Sequence, residues 1–137
     1  MALNILEWED KYSVGVLEID NQHKKMFMTI NELLDSIRTG TTEEHIGSVI
    51  DSLIQYKIFH FATEEKYFKE FNYEGTAFHI SKHQEFNKKL SFLKEKYPNP
   101  TPEFAYELID FLEDWLLDHL MIVDQKYVEC FKEHGLK

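Results

Sequence analysis

His60-Phe61-Ala62-Thr63-Glu64 and His79-Ile80-Ser81-Lys82-His83 each set two ligand-type side chains four residues apart, inside stretches whose apolar residues follow a helical period. Four residues of α-helix advance about 6 Å and return to nearly the same face, so each pair presents its donors side by side. His23, among Met26, Phe27 and Ile30, and His119, one turn beyond Trp115 and Leu116, repeat this placement in two further stretches. An unpaired polar group taken out of water costs roughly 2–7 kcal/mol. A chain that sinks imidazoles into four apolar faces must therefore fold so that they meet one another or a shared ligand.

The breakers divide the sequence into an arm and four long segments. Residues 1–19 form the arm, closing with Tyr12-Ser13-Val14-Gly15-Val16 and Ile19. A helix over about 20–38 follows, with Met26, Phe27, Ile30, Leu33, Leu34 and Ile37 on one face, Asp20 or Asn21 as its expected cap and Gly40 as its stop. Thr41-x-x-Glu44 resembles a capping box and opens a second helix over 42–71, carrying Ile46, Val49, Ile50, Leu53 and Phe61. After Asn72-Tyr73-Glu74-Gly75, Thr76 is the expected cap of a third helix over 76–97, which ends before Pro98. Thr101-Pro102-Glu103 then gives an N-cap, a first-turn proline and an acid at the positive end of the dipole, starting a fourth helix over 102–131. No segment alternates with the period of two that a strand needs. The expected fold is all-α: an up-down-up-down antiparallel four-helix bundle with an extended N-terminal arm.

A length of 137 residues suits one domain with a real core, and eleven Phe, seven Tyr and two Trp supply large surfaces to fill it. The net charge of −10 repels phosphate backbones and anionic lipid, which argues against nucleic-acid and membrane-surface partners. The N-terminus lacks a basic region followed by an apolar run, and no stretch approaches the ~18 apolar residues of a membrane span. Cys130 is the only cysteine, so an internal disulfide is impossible; it reads as a bland free thiol, and a cytoplasmic location is expected.

A lone histidine on a helical face is more often a hydrogen-bonded core residue than a ligand, and a lone carboxylate is usually a solvated charge. Five histidines with Glu64 and Asp124 converging on one interior are different, because without a metal their desolvation is unrewarded. His45 and His134 lack such surroundings and belong on the surface. Asp124 follows His119 by five residues, which in a regular α-helix turns it away by about 140°, so both point inward only across a kink or a π-type bulge. Imidazole and carboxylate without thiolate suit iron, manganese or zinc and exclude iron–sulfur and cysteine-rich zinc sites. Seven ligands exceed the needs of one ion. Two octahedral ions offer about twelve positions; five imidazoles, two bridging carboxylates and one bridging oxo or hydroxo group leave about one vacant, room for a small diatomic molecule.

At this point the sequence resembles the bacterial hemerythrins. The likeness runs from Trp8 and Tyr12-Ser13-Val14-Gly15 through Ile19-Asp20-Asn21-Gln22-His23, His60-Phe61-Ala62-Thr63-Glu64-Glu65 and His79-x-x-x-His83 to Trp115-Leu116-Leu117-Asp118-His119 and Asp124. It implies that His79, His83 and His119 hold one iron, His23 and His60 the other, and Glu64 and Asp124 bridge the pair. It further implies end-on binding of dioxygen at the iron with two histidines, with two electrons passing to oxygen and returning on its release.

Phe61, Trp115, Leu116 and Leu120 flank His60 and His119 on the same turns and are expected to line the oxygen pocket, although any aromatic bundle needs such residues for packing. A dry pocket of this kind disfavours escape of reduced, charged oxygen and so favours reversibility. Gln22 and Glu65, beside ligands, are candidates to orient imidazoles; Glu65 reads equally well as an exposed helix charge. Three functions compete: an oxygen store or carrier, an enzyme reducing oxygen, peroxide or nitric oxide, and a sensor whose arm or helix end signals to a protein partner. No nucleophilic triad, phosphate-cradling loop or free general base is visible, and no second redox cofactor is indicated. With an initiator Met and no linker to an output domain, a stand-alone carrier that is not an enzyme is the expectation.

Overall fold

A computed structural model describes residues 6–96 and 101–137. Four helices dominate: α1 (Leu17–Thr39), α2 (Thr42–Phe71), α3 (Thr76–Lys96) and α4 (Pro102–Trp115). Beyond Trp115 the chain continues as a π-helical stretch, Leu116–Val123, then a 3₁₀ turn, Asp124–Tyr127, and a short α5, Val128–Glu133. In space α1 packs on α2 and α4, and α3 on α2 and α4, so the helices close a ring of four. Consecutive helices joined by short connections run antiparallel, which makes this the expected four-helix bundle. Among the described residues no helix is long and apolar enough to cross a membrane.

Several ends differ from their sequence expectation. Helix α1 starts at Leu17 and not at 20, and its cap position is Val16, with no side-chain cap. Asp20 lies inside the first turn, where it accepts from Ser13 Oγ at 2.5 Å and Val14 N at 2.9 Å. This acid therefore ties the arm to the positive end of α1 instead of capping it. Thr41 makes no side-chain cap on α2, so the capping box does not form; Glu44 N donates to the Thr41 carbonyl instead. Thr76 is the first residue of α3, and its hydroxyl donates back to Tyr73 O. The expected end of this helix at Tyr97 lies outside the described residues. Thr101 does cap α4, accepting from Phe104 N at 3.1 Å. The continuous fourth helix over 102–131 is replaced by the π, 3₁₀ and α pieces named above.

Gly40 ends α1 in the left-handed region (φ 72°), and Thr41 N closes the turn onto Ser36 O at 2.8 Å. Asn72 does the same for α2 (φ 51°), with Tyr73 N bonded to Phe68 O. A residue without a Cβ, or one with a short polar side chain, adopts this conformation at least cost.

The core is divided. One apolar cluster includes Met26, Phe27, Phe61, Phe86, Leu116 and Leu120. The other gathers Val14, Val16 and Ile19 with Phe68, Tyr127 and Phe131. Along α1, His23 separates Ile19 from Met26; along α2, Glu64 separates Phe61 from Phe68; after α4, Asp124 separates Leu120 from Tyr127. The polar side chains thus form a layer across the bundle, sealed above and below by apolar packing.

Candidate metal centre

Each helix aims its donors by its own period. His23 projects from α1, His60 and Glu64 from adjacent turns of α2, and His79 and His83 from adjacent turns of α3. The fourth contribution depends on the π stretch. Asp124 N donates to His119 O, an i→i−5 bond that sets the two side chains on successive turns of one face. The 140° discrepancy of a regular helix is thereby removed.

All seven side chains are at most 2% exposed. They form two groups whose ligand atoms lie within 4.8 Å of one another: Glu64, His79, His83 and His119, and His23, His60, Glu64 and Asp124. Glu64 belongs to both. Its Oε1 lies 3.0 Å from His83 Nε2, 3.3 Å from His60 Nε2 and 3.4 Å from His79 Nε2. Asp124 also faces both ways, with Oδ1 2.8 Å from His119 Nε2 and 3.2 Å from His79 Nε2, and Oδ2 2.9 Å from His23 Nε2.

Much of this proximity is not hydrogen bonding. Glu64 Oε2, both Asp124 oxygens, His79 Nε2 and His119 Nε2 are buried with no aligned hydrogen-bond partner. His23 Nε2 and His60 Nε2 meet at 3.1 Å, nitrogen to nitrogen. Buried donor atoms aimed at common points rather than at each other fit divalent cations, and this N/O set without thiolate is one that iron, manganese or zinc accepts.

Outer contacts fix which nitrogen is bare. Thr63 Oγ1 donates to Phe59 O and accepts from Gln22 Nε2 at 3.0 Å, which turns Gln22 Oε1 toward His60. His60 Nδ1–H donates to that oxygen at 2.7 Å, leaving Nε2 with its lone pair directed inward. The Glu65 carboxylate likewise accepts from His83 Nδ1–H at 2.9 Å, so this half-exposed acid is not simply a solvated charge.

Electrostatics agree with the burial. Burial pushes the His60 imidazole down to about 3, against the opposing pull of Glu64. For His79, burial also acts downward, but the nearby carboxylates of Asp124 and Glu64 outweigh it and raise the group to about 9. Burial and Asp124 act to raise Glu64, yet His60, His79 and His83 hold it below the usual carboxylate range. Asp124 is held low against burial chiefly by His119. The two carboxylates are thus anionic at neutral pH, as ligands must be.

Aromatic rings brace the imidazoles. Phe61 stacks on His83 at 3.7 Å and Trp115 on His119 at 4.0 Å, while Leu116 and Leu120 are 6% and 2% exposed in the adjoining core. Two further rings, without a distinctive sequence setting, adjoin the centre. Tyr56 stacks on His60 with centroids 4.8 Å apart, and Tyr127 lies 5.5 Å from the His79 ring. Their signals were their spacings, four residues before His60 and three after Asp124. His45 is half-exposed beside Glu32, and exposed His134 stacks on Phe71, both away from the centre.

A helical bundle with two cation-sized donor groups sharing a buried carboxylate defines a class of metal-binding four-helix proteins. Residues 14–131 match the hemerythrin HHE cation binding domain, and the chain belongs to the hemerythrin family. It is similar to bacteriohemerythrins from Clostridium acetobutylicum (30% identical, covering 89% of this chain and 98% of the relative), Stenotrophomonas maltophilia (30%, 95% and 84%) and Methylococcus capsulatus (33%, 88% and 91%).

Proposed function

We propose that this protein binds dioxygen reversibly at a pair of iron ions and serves to store, carry or deliver it. His79, His83 and His119 would hold one ion, His23 and His60 the other, with Glu64 and Asp124 spanning both. The observation that carries the reading is the sharing of Glu64 between two buried donor groups, together with the division of the Asp124 oxygens between histidines of both. With three histidines offered to one ion and two to the other, the ion that His23 and His60 would hold is the one with room for a further ligand. The similarity to bacteriohemerythrins supports the same reading.

An iron pair, when bound, supplies the two electrons that a reversibly held oxygen molecule borrows. The chain supplies orientation and exclusion. Gln22 and Glu65 fix the tautomers of His60 and His83, so their Nε2 lone pairs need no reorganisation. Phe61, Leu116 and Leu120 keep the surroundings apolar, which penalises the departure of any anion and favours release of neutral oxygen. Among the described residues every buried histidine, aspartate and glutamate belongs to the seven. Anaerobic titration of the metal-stripped protein with ferrous iron tests the ligand assignment: two ions per chain are expected, and an end point of one or none contradicts it.

A further inference from the structure

The change from π to 3₁₀ geometry at Asp124 places a second side chain beside the carboxylates. Residues three apart eclipse in a 3₁₀ turn, so Tyr127 lies over Asp124 on the same side, where a regular α-helix would set it aside by about 60°. Tyr127 is fully buried. Its ring stacks on Phe131 at 4.3 Å and packs against Phe68 at 5.5 Å and His79 at 5.5 Å. Phenylalanine would satisfy all of these contacts.

The hydroxyl is what the packing does not explain. It is buried with no aligned hydrogen-bond partner. A buried donor left unpaired is destabilising, so a tyrosine here is a net loss to the fold unless its hydroxyl serves something else. The neighbouring polar groups that act on it are the carboxylates of Asp124 and Glu64. On Glu64, Oε1 faces the three imidazoles of His60, His79 and His83, while Oε2 is also buried without a partner. A phenol donor and a carboxylate oxygen, each buried without an aligned partner, therefore both flank His79, whose ring lies 5.5 Å from that of Tyr127 and whose Nε2 lies 3.4 Å from Glu64 Oε1. A phenol is protonated at neutral pH and can only complement the anion by donating to it.

The geometry points to Tyr127 as a positioning residue for the metal centre: its hydroxyl donates to the Glu64 carboxylate and holds it in the orientation that spans the two donor groups. This rests on the proposed metal centre. Tyr127 touches neither the ions nor oxygen in this role; it acts through Glu64. Partners of metal-ligating groups commonly change affinity by roughly 10- to 100-fold when lost.

The test compares Tyr127→Phe with the native protein and with Tyr73→Phe, which removes a hydroxyl from the same aromatic cluster. Both variants and the native protein are loaded with cobalt(II), and transfer of the metal to a chromogenic chelator is timed; thermal melting of the stripped proteins is measured in parallel. The expected result is metal loss 10- to 100-fold faster from Tyr127→Phe, no such change in Tyr73→Phe, and a stripped Tyr127→Phe protein that melts no lower than the native one. Unchanged metal loss, or equal destabilisation of the stripped and loaded forms, would overturn the role assigned to Tyr127. Native protein that takes up no metal would instead overturn the metal centre itself.

Discussion

Removing the metals should expose a bell-shaped dependence of stability on pH, and the two limbs can be assigned to named histidines. His60 titrates at about 3 in the fold, against an ordinary 6.5. A depressed value means the stability it confers is present above 6.5 and is lost as pH falls toward 3. Glu64 and Asp124, also held low, act in the same direction at the acid end. His79 is the opposite case, raised from 6.5 to about 9 by Asp124 and Glu64. Its contribution is complete below 6.5 and disappears as pH rises through 9. At 1.36 kcal/mol per unit, that alkaline loss is on the order of 3 kcal/mol. For a domain of this size it corresponds to a fall in Tm of roughly 10 °C. Thermal melts of the stripped protein between pH 4 and 10, followed by circular dichroism, should therefore peak near 6.5 and decline on both sides. If His79 holds a metal as proposed, that metal takes the place of its proton, and the decline between 6.5 and 9 should vanish in the iron-loaded protein. Identical alkaline limbs with and without metal would refute the assignment of His79 as a ligand.

Other perturbations follow from the same structure. Leu120→Ala, at a position 2% exposed, should destabilise the protein by roughly 2–5 kcal/mol and speed autoxidation of the loaded form by admitting water; an unchanged autoxidation rate in both this variant and Leu116→Ala would contradict the exclusion argument. Gln22→Ala frees the His60 ring and should weaken metal binding by roughly 10- to 100-fold in a chelator competition, with little effect on the stripped protein's Tm. Thr101→Ala removes the cap on α4 and should cost about 1 kcal/mol in denaturant unfolding without altering the metal content.

The four helices were legible because their apolar periods and breakers agree: Gly40, Asn72 and Thr101 each stand at the boundary that their chemistry suggests. The capping details were not. Asp20, Thr41 and Thr76 all carry side chains that can cap, but tertiary contacts decided otherwise, with the arm claiming Asp20 and the Tyr73 carbonyl claiming the Thr76 hydroxyl. For the seven buried donors, the i, i+4 pairs on α2 and α3 were readable as shared faces. The five-residue step from His119 to Asp124 was readable only as a conflict, since nothing local in Leu116–Val123 announces a π stretch. Tyr56 and Tyr127 were missed because an aromatic residue at helical spacing is ordinarily core, and only three-dimensional contact separates a ring that packs from one that braces a ligand.

The most direct test of the central claim is the visible absorption spectrum of the iron-loaded protein, reduced without air, then exposed to oxygen, then returned to an oxygen-free atmosphere. Reversible binding predicts a band that develops under oxygen and disappears on its removal through repeated cycles, with two irons retained per chain. A single irreversible conversion on first exposure, or no spectral response to oxygen at all, would contradict the account.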